Sequence, residues 1–505
     1  MRVNLLFETR APSWLESPDP AWDDRSADLE LEHILNAMSR GDPLIRNVCR
    51  QVLDNPLQNE ADILYRQEIL QDCLAKPELI RKLYEICRNA AARRKKAWYR
   101  LDSPYMSTVY TGASTLLGIY MEALVEIRRT AENVNFASEG LQNLSRLLSQ
   151  ELSDAYLEEL RGLRPDIANR KEMLISARFG PFLQGVSYVR RRPNQKTFHL
   201  PWKRVPSSFL PVRGTEELVD LSHRQDRAIN EVANTMAQAS DNVEAFTRQL
   251  QMELAFYVGA MNLHERMKEL ELPVSFPVPC SGNTRCWRGL YDGSLALLTR
   301  GAVTANTLSS RDRPLYLITG ANQGGKTTFL RSVGQCQLMA QGGLFVFAEE
   351  CQFPIRTQLY THFKREEDPE MTSGRLDEEL DRMSGITDRL RPGGMVLSNE
   401  SFSSTNDPEG SRIFEQITLA FLERKIELFS VTHLMNYAAR FAGEKYTLCL
   451  RAQRTESGER TFRLEPGKPL ITAYGEDIYR RIFCPGGTEA ADPAEATEDN
   501  TTESS

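Results

Sequence analysis

A glycine-rich stretch in the second half of the chain constrains the fold more than any other feature. Residues 315–332 read LYLITGANQGGKTTFLRS, and residues 320–327 match GxxxxGK[ST] at every defined position. In this pattern, glycines let backbone N–H groups converge on a phosphate, and the N-terminus of the following helix adds positive potential. The stretch therefore predicts a strand at Leu315–Ile318, a phosphate-holding loop and a helix from about Lys326.

Four short apolar runs surround this loop in sequence and alternate with helical stretches. They are RPLYLIT, GLFVFA, GGMVLSN and IELFSVT. Such alternation is typical of strands joined by crossover helices, so it predicts an α/β domain with a largely parallel sheet. The proline-rich segment LPVSFPVPCSGNTRCW places the start of this domain near residue 274. We expect the domain to cover residues 274–483.

The first half of the chain has a helical pattern. Two stripes recur at helical spacing: Leu117, Tyr120, Met121 and Leu124, then Leu250, Leu254, Tyr257, Val258 and Met261. Gly259 lies inside the second stripe, where a glycine lowers helix propensity and indicates close packing. We predict a helical core domain over residues 27–273, preceded by an extension of residues 1–26.

One segment interrupts the helical pattern. Residues from about 178 to 214 are rich in glycine, proline and β-forming residues, which predicts a small hairpin excursion. Its basic residues have no acidic neighbours: Arg190, Arg191, Arg192, Lys196, Lys203 and Arg204. A second basic cluster, RNAAARRKKAWYR, spans residues 88–100. Either cluster can hold a phosphate backbone or form an ordinary solvated face.

Composition limits the possible classes of protein. The 505 residues include 62 Lys plus Arg against 69 Asp plus Glu, a formal net charge of −7, so any nucleic-acid surface must be a local patch. Nine cysteines without a paired CxxC are typical of reduced thiols in a cytosolic protein. The most apolar run, residues 112–127, contains Glu122 and Glu126 and is too charged to cross a bilayer. The acidic tail, residues 484–505, is expected to be disordered.

Two further segments complete a candidate nucleotide site. The strand in MVLSNE, Met395 to Leu397, is followed by Asn399 and Glu400, where a carboxylate is expected beside a phosphate loop. The strand in ELFSVTHL ends at Thr432 and His433, which suits a group that senses a γ-phosphate. Lys326 would neutralise the β- and γ-phosphates, and the hydroxyl of Thr327 would bind Mg²⁺.

The order of these motifs resembles the MutS family of DNA mismatch-repair ATPases. The chain has TGANQGGKTTFLRS, SGR, MVLSNESFSSTNDPEG, SVTH and FRLEPGKPLITAYGEDI, where the family has roughly TGPNMGGKST, SGRSTF, LVLLDEIGRGTST, FATH and YKLKPG…SYG. The resemblance covers residues 313–482. A weaker resemblance covers NPLQNEADILYRQEIL, with Arg66 and Gln67 in the helical core.

The resemblance implies a multidomain fold, with an N-terminal helical core and lever followed by a P-loop ATPase domain of the ABC/MutS type. It implies ATP and Mg²⁺ as cofactors, Glu400 as the residue that polarises the attacking water, and His433 as a switch residue. Ser373 would reach the ATP of the opposite subunit, so the resemblance implies a homodimer through the ATPase domains. The residues that would bind the phosphates and Mg²⁺ are Gly320, Asn322, Gly324, Gly325, Lys326, Thr327 and Thr328.

The chain departs from the family pattern in four ways. Asn399 replaces an Asp, so it would hold Mg²⁺ through water without a negative charge, and we expect slow hydrolysis with ATP binding retained. The signature reads SGRLDEEL instead of SGRSTF, which adds Asp377, Glu378 and Glu379. No mismatch-reading domain is visible ahead of the helical core, as expected of a short family member. The excursion is shorter than the family's DNA clamp, and no nuclease-like module follows.

The resulting hypothesis is an ATP-dependent DNA-binding protein that hydrolyses ATP slowly to gate DNA binding in mismatch repair or recombination. Its partners would be double-stranded or branched DNA, a second copy of the chain and other repair proteins, in the cytoplasm or on a bacterial nucleoid, with no membrane. An alternative is a nucleotide-gated interaction protein with little ATP turnover and no direct DNA binding. Another ABC-type ATPase acting on chromosomes fits less well, because the chain has TAYGEDI and YRQEIL.

Overall fold

Two compact units are defined by contacts within the chain. The first unit consists of Met1–Arg311 and Arg331–Leu359, and the second of Asp312–Leu330 and Tyr360–Ser505. The computed structural model describes residues 3–8, 19–97, 106–132, 134–153, 155, 174–179, 185–191, 215–280, 282–320, 324–365, 374–454 and 460–469. The domain boundaries expected near residues 27, 274 and 484 stay predictions, and the acidic tail lies outside the described residues.

The first unit is mainly helical. Its helices are α1 Trp22–Asp28, α2 Leu31–Ser39, α3 Pro43–Asp54, α4 Glu60–Ala75, α5 Pro77–Lys96, α6 Met106–Ala131, α7 Glu139–Glu151, α8 Thr215–Glu269 and α9 Gly293–Thr299. Local sequence explains the start of α3. The side chain of Asp42 caps this helix by accepting from the N–H groups of Leu44 and Ile45, and Pro43 suits the first helical position. None of the described helices is long and apolar enough to cross a membrane.

Helices α6 and α8 form the core that the two stripes predict. All nine stripe residues are buried. The second stripe belongs to one helix of 55 residues. Close packing at Gly259 is confirmed, because a Cβ atom there would lie 2.5 Å from Cys49 Sγ.

The first unit also contains strands. Four of them, in the order β3-β7-β4-β5, form a mixed sheet with β3 parallel to β7 and the other pairs antiparallel. Their bounds are β3 Val278–Cys280, β4 Arg285–Leu290, β5 Asn306–Ser310 and β7 Glu350–Pro354. An antiparallel pair, β1 Leu174–Phe179 and β2 Gly185–Arg191, lies where the excursion was expected, although β1 begins before residue 178.

The apolar run GLFVFA does not form a strand of the sheet, contrary to the expectation from its composition. Residues 344–348 are buried, yet only Val346 makes an isolated β-bridge, to Ser275. The segment turns at Gly343, where φ is +75°. The rings of Phe345 and Phe347 then pack against His264 and Tyr291. Burial of side chains, rather than strand pairing, explains this apolar run.

The second unit is built around a six-stranded mixed sheet in the order β12-β11-β6-β10-β9-β8. Strands β11, β6, β10 and β9 run parallel, and β12 is antiparallel to β11. The bounds are β6 Leu315–Thr319, β8 Leu359–Phe363, β9 Met395–Asn399, β10 Glu427–Val431, β11 Thr447–Arg454 and β12 Arg460–Pro466, with α10 Lys326–Gln341, α11 Arg375–Arg389, α12 Asp407–Glu423 and α13 Met435–Phe441. The chain therefore has a helical N-terminal region followed by an α/β domain with mixed sheets.

Candidate functional site

Three parallel strands bring the predicted site residues to one edge of the six-stranded sheet. In the strand register, Val431 at the end of β10 is paired with Ile318 of β6 on one side and with Asn399 of β9 on the other. Two backbone hydrogen bonds extend this alignment: Glu400 N–H donates to Val431 O at 2.8 Å, and Thr432 N–H donates to Ile318 O at 3.2 Å. The segments that follow these strands are therefore held side by side.

A lysine, a histidine and a carboxylate meet at this edge. Lys326 Nζ lies 3.1 Å from His433 Nε2, and His433 Nε2 lies 3.2 Å from Glu400 Oε1. Lys326 Nζ also donates to the Gly320 carbonyl at 2.6 Å. Sequence reasoning named all four residues, and the structure brings them together.

The histidine nitrogen cannot serve both neighbours at once. A ring nitrogen that accepts a hydrogen bond from Lys326 is unprotonated and has no hydrogen to donate to Glu400. The contacts therefore define two proton arrangements, one in which Lys326 donates to His433 and one in which His433 donates to Glu400. A group that changes the charge at Lys326 would select between them.

Charge and burial tune these groups. Burial lowers the pKa of Lys326 to about 8, although the nearby Glu400 opposes the shift. The hydrogen bond with His433 is the main cause that lowers the pKa of Glu400, and it acts against the opposing effect of burial. Glu400 is thus an ionised carboxylate at neutral pH, beside a lysine whose charge is poorly solvated.

Thr327 and Asn399 supply neutral oxygens next to this cluster. The Thr327 hydroxyl donates to Asn399 Oδ1 at 3.3 Å. Within the described part of the chain, no group of three or more His, Cys, Asp or Glu side chains is arranged to hold a metal ion. Hydroxyl and amide oxygens fit Mg²⁺, which commonly takes few protein ligands and completes its shell with water and phosphate oxygens.

The turn after β9 has a constrained backbone. Glu400 and Phe402 have φ values of +57° and +58°. Residues other than glycine rarely adopt this conformation, and such strain clusters at functional sites. The turn therefore fixes the direction of the Glu400 carboxylate at an energetic cost.

The backbone of Phe462 lies beside the glycine-rich loop, a position that the sequence does not predict. A Cβ atom on Gly325, where φ is +86°, would lie 3.0 Å from the Phe462 carbonyl oxygen. The Phe462 side chain is 48% exposed, which is unusual for a large aromatic residue. The available signal was one aromatic residue within the polar strand RTFRLEP, and only the pairing of β12 with β11 brings it near the glycine-rich loop.

Other predicted site residues are less fully placed. Gly324, Gly325 and Thr328 belong to the described part of the loop and of α10. The strand β2 contains Arg190 and Arg191, whose side chains are outside the description. Asn322, Ser373, Arg192, Lys196, Lys203 and Arg204 lie outside the described residues, so their roles stay predictions.

The second basic cluster, residues 88–100, is largely engaged in ion pairs where it is described. Arg88 pairs with Glu85, Arg93 with Glu122, and Arg94 with Glu244, at N–O distances of 2.5, 2.7 and 2.6 Å. Of the two interpretations left open by the sequence, these contacts favour an ordinary ion-paired surface for the three arginines.

The fold and the site define the class of protein. It has a helical region and an α/β domain, and the α/β domain carries a polar site at the ends of parallel strands. Residues 58–270 match the family model described as MutS2 N-terminal domain, and residues 316–464 match MutS domain V. The chain belongs to the MutS family.

Individual relatives agree with this assignment. Endonuclease MutS2 of Alkaliphilus oremlandii (strain OhILAs) is 25% identical over 362 residues, covering 68% of this chain and 45% of the relative. MutS protein homolog 4 of Mus musculus is 30% identical over 133 residues, covering 26% and 14%. DNA mismatch repair protein MutS of Thermus aquaticus is 30% identical over 166 residues, covering 32% and 20%. The matched region is thus less than half the length of each relative.

Proposed function

We propose that this protein binds ATP and hydrolyses it slowly in order to gate its binding to DNA, in mismatch repair or recombination. One observation carries the proposal: Lys326, His433 and Glu400 meet within 3.2 Å at the ends of parallel strands, next to a glycine-rich loop. Membership of the MutS family supports it, since the relatives include a DNA mismatch repair protein.

ATP would bind along the loop between β6 and α10. Backbone N–H groups of Gly320, Asn322, Gly324 and Gly325 and the start of α10 would surround the phosphates. Lys326 would exchange its hydrogen bond to the Gly320 carbonyl for the β- and γ-phosphates. Phe462, an exposed aromatic residue whose backbone lies beside Gly325, would offer an apolar surface to the nucleobase.

Glu400 and His433 would act on the attacking water. Glu400 is ionised, lies at the strand end and has the constrained backbone expected of an oriented general base. Once Lys326 is drawn to phosphate, His433 would be released to donate to Glu400 or to a γ-phosphate oxygen. Nucleotide binding at Lys326 would thus change the hydrogen bond between His433 Nε2 and the Glu400 carboxylate.

Thr327, Thr328 and Asn399 would complete the phosphate end of the site. Thr327 would ligate Mg²⁺ and Asn399 would hold it through water. Bound Mg²⁺ would neutralise charge on the phosphates. Because Asn399 is neutral, it would attract the cation less strongly than an aspartate, which supports slow turnover with ATP binding retained.

DNA binding and dimerisation are the least direct parts of the proposal. The basic residues of the excursion would contact phosphates, and six such contacts predict a slope of about −5 for log affinity against log salt concentration. Ser373 would complete the site of a second copy. We propose that residues 27–273 carry the DNA-facing end and residues 274–483 the ATPase domain. The DNA-contacting residues would be Arg190, Arg191, Arg192, Lys196, Lys203 and Arg204.

ATP turnover measured with no DNA, homoduplex, mismatched duplex and branched DNA tests the proposal. Lys326→Ala should abolish ATP binding and turnover, while Lys445→Ala, which removes an exposed lysine of the same unit, should change neither. DNA-stimulated turnover that depends on Lys326 would support the proposal. Equal ATP binding by Lys326→Ala and the unchanged protein would contradict it.

A second candidate is a nucleotide-gated interaction protein with little turnover and no direct DNA contact. Two observations favour it: Asn399 is neutral, and Arg93 and Arg94 are committed to ion pairs. This candidate predicts ATP binding that depends on Lys326, with no binding to any of the three DNAs at low salt.

A further inference from the structure

A buried polar cluster lies directly behind the Glu400 turn. His362 Nδ1 lies 2.6 Å from Ser401 Oγ, and Ser398 Oγ also lies 2.6 Å from Ser401 Oγ. His362 and Ser398 have no exposed surface and Ser401 has 2%. Burying polar groups this deeply costs free energy of folding unless they form hydrogen bonds. The mutual hydrogen bonds of the cluster therefore stabilise this part of the second unit.

The contacts fix the protonation of His362. Its Nε2 lies 3.1 Å from the Glu379 carbonyl oxygen, which can only accept, so Nε2 carries the hydrogen. Nδ1 must then accept from the Ser401 hydroxyl. Burial is the main cause that lowers the pKa of His362 to about 4, so the neutral ring persists at neutral pH. Ser401 Oγ also lies 3.1 Å from the His362 carbonyl oxygen, so both candidate acceptors of the single Ser401 hydrogen belong to His362, and Ser398 is left to donate to Ser401.

These residues differ from the family pattern at the same place. In LVLLDEIGRGTST, aligned on the glutamate, the residues at the positions of Ser398, Ser401 and Phe402 are Leu, Ile and Gly. A glycine adopts a positive φ at little cost, whereas Phe402 adopts +58° with a buried side chain. The ring of His362 stacks on Phe402 with centroids 5.7 Å apart, and Phe402 also packs on Phe414. Packing around His362 thus helps to hold a conformation that the sequence itself disfavours.

The same cluster reaches helix α11. Glu379, whose carbonyl accepts from His362, lies in the second turn of α11, and Gly374 caps that helix directly after Ser373. The Glu379 side chain is buried too: burial raises the pKa of its carboxyl, and a hydrogen bond from the Phe402 backbone N–H opposes the shift. Glu379, one of the acidic residues by which this signature differs from the family pattern, points toward the Glu400 turn.

We propose that His362 is a positioning residue that holds the Glu400 turn in its hydrolytic conformation through Ser401 and ties this turn to the signature helix α11. The inference rests on the proposed ATP hydrolysis. It adds a group with no contact to the nucleotide site, and it explains how this chain keeps a rigid turn without the family's glycine. Loss of the hydrogen bond would let the carboxylate drift, and a displacement of about 1 Å can cost up to a hundredfold in rate.

Steady-state turnover and equilibrium binding of ATP in the full chain test the inference. His362→Phe keeps the ring that stacks on Phe402 and removes both hydrogen bonds, and Ser401→Ala removes only the hydroxyl. Each should lower kcat about tenfold or more and leave the Kd for ATP unchanged. The double variant should be faster than the product of the two single effects predicts, because both changes break the hydrogen bond between His362 and Ser401, while Ser401→Ala alone also breaks the contact with Ser398.

A matched control removes another buried hydrogen bond of the second unit. Tyr437→Phe deletes the 2.9 Å contact with Thr418 Oγ1 but keeps the ring that stacks on Phe414, so it should leave kcat unchanged. Unchanged kcat in Ser401→Ala, or effects of the two substitutions that simply multiply, would overturn the positioning role while ATP hydrolysis itself stands. No turnover by the unchanged protein would overturn the proposed function and this inference together.

Discussion

At the scale of single residues, the account depends on one shared histidine nitrogen. His433 Nε2 faces both Lys326 and Glu400, so the charge on the lysine and the orientation of the carboxylate are linked. Asn399 adds an oxygen without adding charge. The proposed function assigns polyanion binding and hydrolysis to different residues of this cluster, so single substitutions should separate the two.

Glu400→Gln should abolish hydrolysis while leaving ATP binding intact. The amide keeps the shape of the side chain but cannot take a proton from water, and general-base catalysis contributes about 10²–10⁴-fold. Single-turnover hydrolysis and the Kd for a labelled ATP analogue measure the two effects. If hydrolysis persisted at an undiminished rate, Glu400 would not be the base.

Asn399→Asp should increase the affinity for Mg²⁺ and raise turnover when Mg²⁺ is limiting. The substitution restores a negative charge 3.3 Å from the Thr327 hydroxyl at nearly constant shape. Turnover measured over a range of Mg²⁺ concentrations would show half-saturation at lower Mg²⁺ in the variant. Identical Mg²⁺ curves for the two proteins would exclude a role for position 399 in cation binding.

Sequence alone predicted much of this site because strand ends and glycine loops have local signatures. The sequence patterns around Lys326, Asn399, Glu400 and His433 are sufficient to identify these four residues. Phe462 and His362 are not identified in this way, since each reaches its neighbours through strand pairing between distant segments. A lone aromatic residue and a lone histidine carry no signal of such pairing.

At the scale of elements, apolar periodicity predicts helices better than strands. The stripes in α6 and α8 are buried as expected, and α10 begins at the predicted Lys326. The prediction of a strand at GLFVFA was wrong, because a short apolar run does not distinguish a strand from a buried irregular segment. Tertiary packing of rings, which no local pattern encodes, determines its conformation.

Gly259→Ala in α8 should destabilise the first unit although alanine is the better helix former. The gain in propensity is about 1 kcal/mol, while the added Cβ would lie 2.5 Å from Cys49 Sγ, and overpacking costs about 1–3 kcal/mol. Gly385→Ala in α11 is the matched control, since only the end of the Arg389 side chain lies near. Hydrogen exchange of each helix should show faster exchange for the first variant and slower exchange for the second.

Glu253 should make the stability of the first unit depend on pH. The side chain of Glu253 in α8 accepts hydrogen bonds from the N–H groups of Leu5 and Leu6, and burial raises its pKa from the usual 4.5 to about 7. A raised carboxyl pKa contributes stability that is fully present below about pH 4.5 and is lost as the pH rises to about 7. The loss is about 3 kcal/mol at most.

Glu253→Gln tests this dependence because the amide does not titrate. Denaturant unfolding between pH 4.5 and 7.5 should show the unchanged protein losing stability relative to Glu253→Gln as the pH rises. A stability difference that is constant across this range would mean that folding does not raise the pKa of Glu253.

At the scale of the whole molecule, the two family matches fall on different parts of the chain. The MutS2 N-terminal domain match covers residues 58–270, and the MutS domain V match covers residues 316–464. Helix α10 begins in the second unit, at Lys326, and continues into the first unit from Arg331.

Binding of ATP and of DNA should be reciprocal. If ATP changes the affinity for DNA by some factor, DNA must change the affinity for ATP by the same factor. The Glu400→Gln protein permits this comparison without turnover. Lys326→Ala serves as the control, because its DNA affinity should not respond to ATP.

The most direct measurement is the Kd of Glu400→Gln protein for fluorescently labelled duplex and branched DNA, at low salt, without nucleotide and with saturating Mg·ATP. The account predicts that ATP changes the Kd for at least one of these DNAs, and that this DNA changes the Kd for ATP by the same factor. ATP-gated DNA binding would be contradicted if the Kd for each DNA were the same with and without ATP, or if neither DNA bound.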